Sequence, residues 1–343
     1  MNPPLRPCTL LLLAACLLGG TACDREAYSP EKAAIAQGED LIIKDVKTFR
    51  NGTRQLYNNR KFDQLEARAN EVRSTKALFG NGCWKISDFY DSLACREEEP
   101  ENMWKLHEQL HQEWENKFPD SITARVAHAS FLVEYAWHAR GTGYANEVTE
   151  DGWRLFAERL ASARTILDQS KQLTPKDPVL WQVEMTIALG QSWKTEEFSK
   201  VFEEAKAFEP QFFVHDFYQA KFLMPRWYGK PGDWEAAAEK EIDRPGGLGV
   251  EGYARVISDQ RGYYDDIFRE TKASWRKTQQ GFEVMHQKYP DSAEILNAYC
   301  RLACIAEDRP LAKKLFAEIG KKVIIYCWGE RKRFNQLKAW ANE

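Results

Sequence analysis

The residues best placed to do chemistry are His107, Glu108 and His111, in the run HEQLH. Two histidines one helical turn apart can share a zinc ion, with the intervening glutamate as general base for peptide hydrolysis. Such a centre needs a third protein ligand and an open position for water. The extended metzincin pattern would place glycine and histidine at positions now held by Trp114 and Lys117, while Glu134 lies at a gluzincin-like distance. A zinc-dependent metallopeptidase with His107 and His111 as ligands is therefore one reading.

The helix that must carry this motif argues for another. At ~100° per residue, Met103, Trp104, Leu106, His107, Leu110, His111, Trp114 and Phe118 fall on one face, and every other position from 105 to 117 is polar. Both histidines thus sit on the packing face. Gln109, just after the glutamate, stands on the polar side, where zincin helices carry an apolar residue.

Internal repeats point the same way. ENKFPDSITARVAHASFLVEYAW aligns without a gap on HQKYPDSAEILNAYCRLACIAED, at an offset of 290 − 119 = 171 counted between the two prolines. Trp104 then meets Trp275. Looser copies end at Pro175 and Pro210. Twelve and eight residues before Pro210 stand Phe198 and Phe202; before Pro175, Ala163 and Leu167; before Pro290, Thr278 and Phe282; before Pro119, His107 and His111. The histidines therefore occupy slots that hold core residues in the other copies, and packed histidines are the expectation.

Helix, proline, helix at such spacing resembles the tetratricopeptide repeat family, in which small or aromatic residues precede the proline by 12, 8 and 5 positions; Phe198, Phe202 and Ala205 match. Each helix pair leaves an apolar face that only a stacked neighbour can bury. The prolines are 56, 35 and 80 residues apart, so the expected fold is all-α: a tetratricopeptide-like helical-repeat superhelix (α-α solenoid) with irregular insertions. Longer blocks, FPDSITARVAHASFLVEYAWHARGTGYANEVTEDGWRLFAERLASA, IALGQSW, LMPRWYGKPGDWE and CWGERKRFNQLKAWAN, resemble the bacterial domain-of-unknown-function family 4034. That resemblance implies an all-helical, often exported bacterial protein. It brings no assigned activity and no catalytic residues, and the family's pattern does not include the histidines of HEQLH.

The amino terminus addresses the chain. Arg6 precedes the apolar run Thr9–Leu18, which is too short to span a bilayer, and GGTA leads to Cys23. This reads as a signal peptide over 1–22 ending in a lipobox, with Cys23 acylated. Cys16 is the alternative lipobox cysteine, and a plain cleaved signal is the alternative to both. Localisation is then the bacterial envelope, lipid-anchored and facing the periplasm, or soluble periplasmic or secreted if Cys23 is not acylated. Loss of Arg6 takes the net charge from −3 to −3 − 1 = −4, which excludes nucleic acid as the main partner because phosphate binding needs a concentrated basic face. In an oxidising compartment Cys83 and Cys95 are expected to pair across a short loop, leaving Cys300, Cys304 and Cys327 with alternative pairings.

Residues 23–47 read as a linker, 48–246 as a helical repeat-like lobe and 247–343 as a C-terminal helical lobe, divided near the run DRPGGLGVEG. Arg140 and Tyr144 in RGTGY, and Arg226, Trp227 and Tyr228 in PRWYG, have the composition of a pocket or interface lining. The favoured function is a protein- or peptide-binding module of the envelope without a cofactor, its only membrane contact the N-terminal lipid; a small-molecule binder is the further alternative.

Overall fold

Apolar spacing of helical type over nearly the whole chain requires helices that bury one face, or all faces, against their neighbours. A computed structural model describes residues 40–343; the signal segment, Cys16 and Cys23 lie outside them. The described residues form sixteen α-helices and no strands. They fall into two compact units, one of residues 48–77 and 84–218, the other of residues 40–47, 78–83 and 219–343.

Helix α1 (Leu41–Asn58) runs through parts of both units. The first unit continues with α2 (Phe62–Ser74), α3 (Lys85–Asp91), α4 (Glu101–Lys117), α5 (Ile122–Arg140), α6 (Glu150–Ser170), α7 (Pro178–Gly190), α8 (Thr195–Phe208) and the start of α9 (Val214–Phe222). Its centre is α5 and α7. Every residue of α7 from Pro178 to Leu189 is buried, because PVLWQVEMTIAL has no polar face to offer water. Helices α4, α6 and α8 bury a single stripe each and cover that centre. Sequence-local signals set the starts: Thr149 accepts from the Gly152 amide ahead of α6, Asp177 from Val179 ahead of α7, and Pro178 occupies the first turn where its missing N–H costs nothing.

The second unit holds α10 (Asp233–Lys240), α11 (Val250–Gln260), α12 (Ile267–Glu270), α13 (Trp275–Lys288), α14 (Ala293–Ile305), α15 (Arg309–Ile319) and α16 (Arg331–Asn342). Successive helices from α13 to α16 pack in order, and α11 packs on α13. The approach of α11 to α13 depends on Gly281: a Cβ there would lie 2.1 Å from the Val250 carbonyl oxygen. The run DRPGGLGVEG, expected between two lobes, lies inside this unit, where it leads into α11 with Gly249 at φ +61°. VIIYCW contains a 3₁₀ turn, Ile325–Cys327, and no strand.

The two sequence copies at offset 171 adopt the same local backbone. Helix α4 ends at Phe118 with φ −129°, ψ 66°, and α13 ends at Tyr289 with φ −128°, ψ 60°. In both, the serine of PDS caps the following helix: Ser121 Oγ accepts from the Ala124 amide and Ser292 Oγ from the Ile295 amide. The Ser121 and Ser292 amides in turn donate to the Phe118 and Tyr289 carbonyls.

Candidate functional site

HEQLH lies in the middle of α4, and the structure puts its histidines inside. His107 is 7% exposed and His111 fully buried, whereas Glu108 is half-exposed. Trp104, His107 and His111 form one stripe of α4 by their i, i+3 and i+7 spacing. The facing stripe of α5 is His128, Phe131, Tyr135 and His138, again one helical row. The result is a ladder of rings. His138 stacks on Trp104 at 4.4 Å between centroids, Trp104 on Tyr135 at 5.2 Å, Phe131 on His111 at 5.0 Å, and His111 on His128 at 6.1 Å. From α1, Tyr57 closes the seam at 5.5 Å from the His107 ring and 5.1 Å from His111.

A polar cluster lies beside Tyr57. The Tyr57 hydroxyl donates to the His107 carbonyl at 3.2 Å, and His107 donates a ring N–H to the Leu93 carbonyl. The Glu134 carboxyl accepts from the Cys95 amide, and Arg54, Cys95 and Glu134 all lie near the Tyr57 hydroxyl, with Arg54 the charged one of the three at neutral pH. Several buried polar atoms have no hydrogen-bond partner: Trp104 Nε1, His107 Nδ1, both ring nitrogens of His111, and Glu134 Oε2. Desolvation therefore governs the protonation states. Burial, with help from the Asp91 carboxylate, pushes the Glu134 carboxyl up to about 8. Burial, with the nearby Arg54 charge, lowers His107 to about 4. His111 falls well below the usual imidazole range through burial and its two histidine neighbours. Burial and the Glu134 and Glu99 carboxylates raise Cys95 to about 12, so its sulfur is a protonated thiol at neutral pH.

A zinc centre does not fit this arrangement. His107 spends one ring nitrogen on Leu93, and Glu108 is close enough to Tyr135 and Arg159 for its charge to act on both. Among the described residues no three His, Cys, Asp or Glu side chains are grouped to hold a metal ion.

The expected bridge between Cys83 and Cys95 is corrected by the structure: no disulfide joins any two of the described cysteines. Residues 85–91 between them form helix α3 where a short loop was expected. The Cys83 amide is held by Asn81 Oδ1 while the Cys95 amide serves Glu134. Cys300, Cys304 and Cys327 are likewise buried thiols; Cys300 Sγ lies 3.7 Å from the Ala312 carbonyl and Cys327 Sγ 3.8 Å from that of Glu294.

The two segments expected to line a pocket belong to different units. Arg140 ends α5, donates to the Gly141 and Gly143 carbonyls and stands 5.7 Å from the Trp153 ring centroid. Tyr144, half-buried, precedes a 3₁₀ turn and gives its amide to Glu147. This is the tight helix connection that RGTGY suggests, with Gly141 at φ +72°. In the second unit, exposed Arg226 lies 5.0 Å from the Tyr263 ring centroid, and Tyr228 packs on Phe222 at 4.7 Å, with Trp227 alongside. Sequence reasoning missed Tyr57, Arg54 and Cys95 as neighbours of the histidines, since they come from α1 and the turn after α3. The stripe 128, 131, 135, 138 was legible and would have found the histidines of α5.

No family model, no curated protein and no solved structure matches this chain.

Proposed function

We propose that the chain is an exported protein, acylated at Cys23, held to the bacterial envelope by that lipid and facing the periplasm, where it binds another envelope protein or a peptide. On this reading its helix pairs form a tetratricopeptide-like superhelix with irregular insertions. The observation that carries the reading is the shared turn of the two sequence copies, with matching backbone angles at Phe118 and Tyr289 and the same serine caps. Repeated helix pairs of this kind build extended surfaces suited to peptides. The exposed Trp153, 40% accessible and faced by Arg140, supplies the aromatic-plus-arginine pairing that dominates binding energies.

Two measurements test this. The intact mass of the mature protein decides the anchor: a diacylglyceryl-modified Cys23 as N-terminus is expected, and an unmodified N-terminus overturns it. Metal content after purification separates binding from hydrolysis. Stoichiometric zinc that is lost in His111→Ala would sink the binding reading.

A further inference from the structure

Four of the six histidines, His107, His111, His128 and His138, line the single seam between α4 and α5. The same slots in the other sequence copies hold Ala163, Leu167, Phe198, Phe202, Phe282 and Thr278, none of which can take up a proton, so histidine brings a property that packing does not require. We propose that the α4–α5 seam is an acid-opened joint, closed while His107 and His111 are neutral and parted when they take up protons. The proposal is independent of the binding reading above.

The geometry offers a proton on either ring no counter-ion. His111 faces Tyr57 of α1, His128 and Phe131 of α5, and His107 on its own helix, and neither of its nitrogens has a partner. His107 faces Tyr57 and the guanidinium of Arg54 from α1, the Leu93 carbonyl from the turn after α3, and Phe131 from α5. The carboxyls in and around the cluster are Glu134 and, next to it, Asp91, with Glu99 on the Cys95 side. Burial keeps Glu134 protonated at pH 7, and lowering the pH cannot charge it. Asp91, pushed up to about 7 by burial, loses its charge as the pH falls below that value and is bonded to Arg50. Glu115 is spent on His128, 2.6 Å from its Nδ1.

The direction follows from linkage. An opened seam restores His107 to the ordinary imidazole range near ~6.5, while the closed seam holds it at about 4. Between those limits the open form binds more protons, so the closed form loses stability as pH falls through that window. Each histidine that opening frees weakens closure about tenfold per pH unit across that window, and each raised carboxyl that opening frees with them, Glu134 first, offsets one histidine. Opening would bare Trp104, Phe131 and Tyr135, a contiguous aromatic face.

Hydrogen exchange on the full chain from pH 7.5 to 4.5, corrected for intrinsic exchange, tests this. Amides of 101–140 are expected to lose protection at higher pH than those of 293–319. In the double variant His107→Phe/His111→Phe that separation is expected to disappear, with 101–140 protected to lower pH. Simultaneous loss of protection in the two regions of the wild-type chain overturns the proposal, as does a double variant that opens at the wild-type pH. Should the variant not fold, the imidazole NMR signals of the wild type decide. Titration of His107 and His111 while 101–140 stays protected overturns the joint; titration coincident with loss of protection supports it.

Discussion

Arg73 and Asp177, 104 residues apart in sequence, form a buried ion pair with 2.8 Å between guanidinium and carboxylate. The same carboxylate accepts from the Tyr90 hydroxyl and caps α7 through the Val179 amide, while Arg73 also donates to Thr123 Oγ1. One acid thus ties α2, α3 and the start of α7 together, and Thr123 adds α5. Asp177→Asn leaves Arg73 charged and buried without its counter-ion, and breaking such a pair costs about 3–5 kcal/mol. Urea unfolding at pH 7 should show that loss. Arg154, exposed on α6 and paired with Asp151 and Glu158 in solvent, is the contrast: Arg154→Ala should leave the midpoint unmoved.

The two PDS serines separate capping from network effects. Ser292 only caps α14, so Ser292→Ala should cost about 1 kcal/mol. Ser121 caps α5 and also donates to Glu66 Oε1, which the Trp114 indole bonds as well. Removing its hydroxyl takes one of two donors from a largely buried carboxylate. Ser121→Ala is expected to exceed Ser292→Ala by about 1 kcal/mol in thermal or urea melts. Equal losses would mean that Glu66 recovers its bond from water.

Local signals in the chain were enough to fix much of this. The HEQLH wheel placed His107 and His111 on a packing face, and PDS marked both turns, because helix periodicity and serine capping act within a few residues. Thr149 caps the start of α6 for the same reason. What stayed hidden required partners distant in sequence. Tyr57 meets the histidines across about fifty residues, and Asp177 reaches Arg73 across 104. No disulfide joins Cys83 and Cys95, because close spacing in sequence does not by itself bring two cysteines together.

Glu134 should make stability fall as the medium becomes alkaline. Its carboxyl, raised to about 8 by burial and the Asp91 charge, holds a proton in the folded state that an unfolded glutamate near ~4.3 has released. Between those values the folded state binds more protons, so the stability contributed by the neutral form is present in acid and lost as pH rises through about 8. Glu134→Gln keeps the shape without the titration. The variant should match the wild type near pH 5 and exceed it by about 2–4 kcal/mol at pH 9. Parallel stability–pH curves for the two proteins would show that Glu134 ionises freely in the fold.

Gly281 gives the strongest test of packing in the second unit. In α13 it faces α11, and a methyl group would meet the Val250 carbonyl oxygen at 2.1 Å and the Ala254 Cβ at 2.5 Å. Backbone cannot swing aside as a side chain can, so α11 and α13 must separate. Gly281→Ala should therefore destabilise by about 1–3 kcal/mol even though alanine is the better helix former. Gly262, with no atom within 4 Å of the added Cβ, is the control, and Gly262→Ala should be neutral or slightly stabilising. Thermal melts of the pair decide the matter. A Gly281→Ala protein as stable as Gly262→Ala would mean that the two helices do not approach closely in solution.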